Sequence, residues 1–215
     1  MRLDIFLFAL GIAQFAPADD WPGPQTREVF SHSRAYFVRV IPGTSWGDTY
    51  GFKGAAKGPF AKAEFYRLEK DRSYRLTATA FLLNPIAPVD FFVTDRGFLI
   101  GLDNWHNRGY GAVAAFYTPA GEVIRRYELN GLFTKTEIDA FEHSESSISW
   151  RRPTGAYVRD DQGTFYVTGN DPGACFVFEV ANGGYQYCEN KNGSSQCRRS
   201  NTTRTWAPYQ EPSRH

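Results

Sequence analysis

The stretch "FFVTDRGFLIGLDN" (residues 91–104) decides how the chain is read. Two runs rich in Phe, Val, Leu and Ile flank Asp95-Arg96-Gly97, and the glycine falls where a tight turn needs a positive φ angle. That is the chemistry of a β-hairpin. Working outward, "AVAAFYTPAGEVIRRYEL" (112–129) repeats the pattern around Pro119-Ala120-Gly121. Two further copies follow: "AYVRDDQGTFYVTG" (156–169) turns at Asp161-Gln162-Gly163, and "CFVFEVANGGYQYC" (175–188) turns at Asn182-Gly183.

The hairpins pair into units. Residues 89–129 make one four-stranded meander and 156–188 a second. A looser copy spans 35–83, where "AYFVRVIP" is followed by "KAEFYRLEKDRSYRLTATAFLL" with its turn near Asp71-Arg72-Ser73. Four-stranded units of about 40 residues match the spacing of propeller blades. Three units fall short of the usual four to eight that close a propeller. They can make an open array, a compact three-unit fan or a sandwich. The expected fold class is all-β, consecutive antiparallel meanders in a propeller-like array, open or incomplete. One segment breaks the pattern. In "NGLFTKTEIDAFEHS" (130–144), Thr134 and Glu137 have capping-box spacing, and Ile138 and Phe141 lie three apart. They predict a short helix at about 134–142 that packs over the gap between the second and third units and hides a sheet edge.

Composition supports the all-β reading and excludes one class of function. The 18 Phe, 12 Tyr and 5 Trp favour strands over helices. Basic and acidic residues nearly balance, 24 against 23, so there is no basic excess for a nucleic-acid surface. The 215 residues suffice for one domain with its own core. At the N-terminus, Arg2 precedes an apolar run from Ile5 to Ala13, and Ala16-Pro17-Ala18 follows as an A-x-A site. This predicts a secretory signal over residues 1–18, cut after Ala18, and a β-rich domain from residue 19 onward in a secreted or periplasmic protein. The apolar run is too short to span a bilayer, so no membrane span is expected in the mature chain.

The cysteines fit an oxidising compartment. In "CENKNGSSQC" (188–197), Asn192-Gly193 is a two-residue hairpin turn. Counting outward from it sets Lys191 against Ser194 and Cys188 against Cys197, a non-hydrogen-bonded pair close enough for a disulfide. Cys175 is expected as a leftover buried thiol, diagonal to Cys188 on the preceding hairpin. A zinc site lacks the further Cys or His ligands it needs.

The segment "PVDFFVTDRGFLIGLDNWHNRGYGAVAAFYTPAGEVIRRYELNGLF", with "SSISWRR" after the helix, resembles a group of uncharacterised exported bacterial β-repeat proteins. In them a blade-like meander carries a similar Asp-x-Trp-His…Gly-x-Gly stretch. The resemblance covers roughly residues 85–152. It implies a propeller-like β fold and export, and it carries no activity or catalytic residues.

The densest chemistry lies in "LDNWHNRGYG" (102–111), the crossing between the second and third strands of the central unit. Asp103 and His106 could form an acid-base pair, and Trp105 and Tyr110 could stack on a sugar or peptide. The structural reading of the same residues is that Gly109 and Gly111 shape the crossing. Trp105 then fills a gap between units, and Asp103 or Asn104 bonds loop amides. In "SESSISWRR" (144–152), Ser147 beside Trp150, Arg151 and Arg152 reads as a strand entry with solvated arginines. Hydrolase, metalloprotease, phosphate-loop and dinucleotide motifs do not occur, and no cofactor or metal is expected. The expectation is a non-catalytic domain that binds a protein or glycan through one loop face, using Asp103, Trp105, His106 and Tyr110. The alternative is a small hydrolase built on Asp103 and His106.

Overall fold

A computed structural model describes residues 21–171, 173–191 and 194–199. The expected leader and its cleavage site lie outside the described residues, as does the Asn192-Gly193 turn.

The chain folds into three antiparallel sheets, each a meander whose strands lie in chain order. Sheet one holds β1 (Arg27–Phe30), β2 (Tyr36–Ile41), β3 (Lys62–Leu68) and β4 (Tyr74–Phe81). Sheet two holds β5 (Pro88–Val93), β6 (Leu99–Asn104), β7 (Ala114–Tyr117) and β8 (Val123–Tyr127). Sheet three holds β9 (Arg151–Arg159), β10 (Thr164–Gly169), β11 (Cys175–Glu179), β12 (Tyr185–Lys191) and β13 (Ser194–Arg199). The all-β, propeller-like arrangement of three units therefore holds, with two corrections at its margins. Sheet one opens with β1, in a segment read as a Pro-rich lead. Sheet three gains a fifth strand, because β13 continues the same sheet instead of standing apart as a tail hairpin.

Side-chain alternation explains how the sheets pack. Successive residues of a strand face opposite ways, so a strand buried on both sides must be apolar at every position. β6 is buried throughout: its first four positions carry no polar side chain, and the buried Asp103 and Asn104 at its end are hydrogen-bonded. On β7, Ala114 and Phe116 join one core cluster while Ala115 and Tyr117 join the other. The first cluster carries Phe165, Val167, Phe176 and Phe178 of sheet three. The second carries Val38, Val40, Ala63 and Phe65 of sheet one. Sheet two is thus the middle layer. The described residues gather into no core cluster that joins sheets one and three directly, so the array is open.

The corresponding first turns of the three sheets meet. In the β5–β6 turn, Asp95 Oδ1 accepts hydrogen bonds from the backbone N–H and the hydroxyl of Ser33 in the β1–β2 turn, both at 2.7 Å. Asp95 N–H donates to Asp160 Oδ1 in the β9–β10 turn at 2.7 Å. Burial at this junction pushes Asp160 above the ordinary carboxylate range.

A one-turn helix, α1 (Leu129–Leu132), precedes α2 (Lys135–Ala140). Thr134 caps α2 in a reciprocal capping box with Glu137, as its spacing predicts. Ile138 and Phe141 pack against the cluster shared by sheets two and three, with Phe141 edge-on to Phe133.

The disulfide joins Cys188 to Cys197, residues directly opposite each other with Cα atoms 4.0 Å apart. Cys175 departs from expectation. It is half-buried, and it lies directly across from Cys188 on β11 and β12, not on a diagonal. The turn at Asn182-Gly183 sets Phe178 against Tyr185, and counting inward in pairs from there brings 175 to 188. Among the described residues, no helix is long and apolar enough to cross a membrane.

Candidate functional site

The crossing after β6 is a tightly bonded loop. Its backbone N–H groups are satisfied locally: Trp105 donates to Ala87 O and Asn107 to Asn104 O, both at 2.9 Å. The Asn104 side chain donates to Tyr110 O at 2.6 Å and accepts from the Asn84 amide at 2.7 Å. Close approach explains the two glycines. Both have positive φ, and an added Cβ at Gly109 would sit 2.7 Å from Ile148 Cβ, and at Gly111 2.6 Å from Asn104 Nδ2. No larger residue fits either place without displacing its neighbour.

Asp103, the last residue but one of β6, faces inward. It is fully buried and holds a left-handed φ of 56°. One carboxylate oxygen accepts from Gly109 N–H at 3.1 Å and from the Trp150 indole at 2.8 Å; the other accepts from Arg151 Nε at 2.7 Å. Arg151 also reaches Asp90 on β5 at 2.7 Å. Burial disfavours the Arg151 charge, but Asp103 and Asp90 outweigh it and hold its pKa above the usual value. This corrects the sequence reading of Arg151 as solvated: it is 6% exposed. Arg151 and Trp150, at the entry to β9, fasten sheet three to the β6 loop. They also flank a cavity of about 200 Å³.

His106 faces elsewhere. Its ring lies 5.5 Å from Trp21, 5.2 Å from Trp46 and 5.6 Å from Phe52, measured between centroids. Burial among these rings lowers its pKa. Among the described residues, no hydrogen bond or ion pair joins Asp103 to His106. The expected quartet is therefore split: Asp103 is a buried fastener, while the other three belong to an aromatic cluster. Tyr110 stacks face to face on Tyr50 at 4.2 Å. Trp105 meets Trp21 edge-on at 5.5 Å, and Arg27 of β1 lies over the Trp105 ring with Cζ 5.8 Å from its centroid.

The cluster encloses a cleft of about 280 Å³ walled by Trp21, Tyr50, Phe52 and His106. Its polar side is Asn107, Glu145 and Ser146. Asn107 is 2% exposed. Its amide nitrogen donates weakly to Ser146 O at 3.4 Å, while its side-chain oxygen is buried without a partner. A buried acceptor left unpaired costs about 1–3 kcal/mol. Tyr50 and Phe52, at 57% and 37% exposure, are among the large apolar side chains that remain exposed.

Trp46, Tyr50 and Phe52 come from the connection between β2 and β3, residues 42–61, a segment the strand pattern passes over. Its length was the available signal. Long loops of more than about 12–15 residues are commonly functional, and this one, "PGTSWGDTYGFKGAAKGPFA", has one 3-10 turn at Trp46–Asp48 and carries four aromatic residues. Trp21 comes from the lead before β1. Comparison with family models, curated proteins and solved structures finds no match.

Proposed function

We propose that this protein is a non-catalytic binding domain of an exported protein, and that its aromatic cleft takes a glycan. The observation that carries this reading is the cleft itself, where the exposed rings of Tyr50 and Phe52 stand with Trp21 and His106 beside the polar side chains of Glu145 and Ser146. A sugar ring presents C–H faces that pack on aromatic side chains and hydroxyls that donate to an amide or carboxylate oxygen. At about 280 Å³ the cleft lies near the lower end of small-molecule sites, a size suited to one or two sugar rings.

The hydrolase alternative draws no support from the geometry. Both Asp103 oxygens are occupied by donors, and among the described residues no hydrogen-bonded acid orients His106. Neutral, ring-packed His106 serves as a wall.

The test is titration of the full-length protein with chito-, cello- and manno-oligosaccharides, followed by tryptophan fluorescence and calorimetry. Binding of one class should weaken at least tenfold in Tyr50→Ala and in Phe52→Ala. Tyr50→Ala should keep the wild-type melting temperature, because that side chain is largely exposed. Absence of binding by every saccharide, or affinity unchanged in both variants, would overturn the glycan reading. Capture of a partner protein that Tyr50→Ala abolishes would replace it with a protein-binding one.

A further inference from the structure

Three cysteines lie in one row across three adjacent strands. Cys175 on β11 faces Cys188 on β12, and Cys188 faces Cys197 on β13. Residues directly opposite in neighbouring antiparallel strands project from the same face of the sheet. That face is the outer one. The alternate residues Phe176, Phe178 and Tyr187 belong to the buried core, which leaves Cys175, Val177, Gln186 and Cys188 on the side away from it. Thr168 of β10 extends the row at its other end, opposite Cys175.

The register also fixes the spacing. Glu179 N–H donates to Gly184 O at 2.7 Å, so residues 179 and 184 form a hydrogen-bonded pair. Such pairs alternate along a ladder, so 177 with 186 and 175 with 188 are of the same kind. A hydrogen-bonded pair sets its Cα atoms about 5.5 Å apart, inside the range of about 4.4–6.8 Å that a disulfide spans. Cys188 then has its unbonded edge toward β13, in keeping with the 4.0 Å Cα separation from Cys197.

We propose that this row is a thiol–disulfide exchange site, in which Cys175 displaces Cys197 from Cys188 and presents Cys197 as the reactive thiol for a small-molecule or protein disulfide. Cys175 loses its proton to solvent, and its sulfur bonds to the Cys188 sulfur. The Cys188–Cys197 bond breaks, and its electron pair leaves with the Cys197 sulfur, which takes up a proton. One thiol and one disulfide go in and one of each comes out, so no oxidant or reductant is needed. The two isomers differ in place. Cys175 sits on an inner strand, whereas Cys197 is exposed on β13 at the sheet edge. Cys188–Cys197 is the linked pair in the structure, and burial pushes the Cys175 thiol up, so it attacks through a small thiolate fraction at neutral pH. Exchange moves the accessible sulfur from the interior of the sheet to its rim without breaking a strand pairing.

The test uses the full chain, unreduced and without denaturant, held at pH 8 with N-ethylmaleimide, then acid-quenched and mapped by peptide mass spectrometry. The label should appear on Cys197 as well as Cys175, together with a Cys175–Cys188-linked peptide. Cys175→Ser should cut Cys197 labelling at least tenfold. Label confined to Cys175, or Cys197 labelling that persists in Cys175→Ser, overturns the proposal. Cys197→Ser supplies an independent measurement, because with oxidised glutathione it should form the Cys175–Cys188 link. Recovery of both thiols free, or each capped by glutathione, refutes the register argument.

Discussion

Replacing Asp103 with alanine strips two oxygens from three donors at once, and the structure sets the size of the loss. Arg151 keeps Asp90, which is partly exposed, so its charge is half-compensated instead of abandoned. Breaking a buried ion pair outright costs about 3–5 kcal/mol, and this one should sit at the low end. The Trp150 indole and Gly109 N–H lose their acceptor, adding about 1–3 kcal/mol for whichever finds no water. Alanine in the left-handed conformation that Asp103 holds adds about 1–2 kcal/mol. These contributions share partners and do not add in full, so Asp103→Ala should cost about 4–6 kcal/mol. Two companions separate the causes. Asp103→Gly should recover about 1 kcal/mol of the strain. Asp103→Asn, which tolerates the same φ and keeps one oxygen, should cost about 2–3 kcal/mol. Adding Arg151→Met to Asp103→Ala should restore stability relative to the sum of the single changes, since the charge left without Asp103 is then gone. Urea unfolding followed by tryptophan emission reads all four variants. An Asp103→Ala midpoint corresponding to less than about 1 kcal/mol of loss at unchanged slope would refute the fastener role. It would reopen Asp103 as a reactive acid.

Gly109→Ala combines positive φ with a Cβ 2.7 Å from Ile148 Cβ and should cost more than about 2 kcal/mol, whereas Gly163→Ala, with similar φ and open space, should cost about 1 kcal/mol; thermal melts compare them. Tyr117→Phe removes the buried hydroxyl that accepts from Leu83 N–H at 3.0 Å, and chemical denaturation should show about 1–3 kcal/mol of loss. His106 is depressed below its ordinary value, so the folded state binds fewer protons there than the unfolded chain. Stability should be fully present above about pH 6.5 and fall as pH drops from there toward the folded-state pKa, a slope that His106→Asn flattens. Asp160 acts oppositely and at lower pH: raised by burial, it favours the folded state when protonated and loses that contribution as pH rises through its folded pKa.

The strands of sheets two and three were legible because their turns carry the needed residues and their apolar runs are short and bounded. The capping box of α2 and the pairing of Cys188 with Cys197 followed from spacing alone, being local geometry. What escaped was non-local. β1 hid in "REVF", where a charged pair interrupts the alternation, and only pairing with β2 makes it a strand. Arg151 looked solvated because its two carboxylate partners lie far away in sequence, on β5 and β6. The residues of the loop after β6 that the sequence reading groups together are split by one fact invisible in sequence. Asp103 belongs to a strand end that faces sheet three, and His106, three residues on, faces a loop of sheet one.

Because every strand pairs only with its neighbours in the chain, nothing must be threaded or held back for a distant partner. A chain growing from its N-terminus can lay down sheet one, then sheet two against it, as fast as the residues emerge. Sheet two, however, offers a second apolar face whose cover includes Phe165 of β10 and Phe178 of β11. At ~5–20 residues per second, the interval between completing β8 and completing β11 is roughly 3–10 s. Through that interval Ile100, Leu102 and Phe116 stand uncovered, a tacky surface that invites association with other nascent chains. Slow translation, or arrest anywhere between residues 128 and 165, should therefore be more damaging to yield than arrest before residue 85.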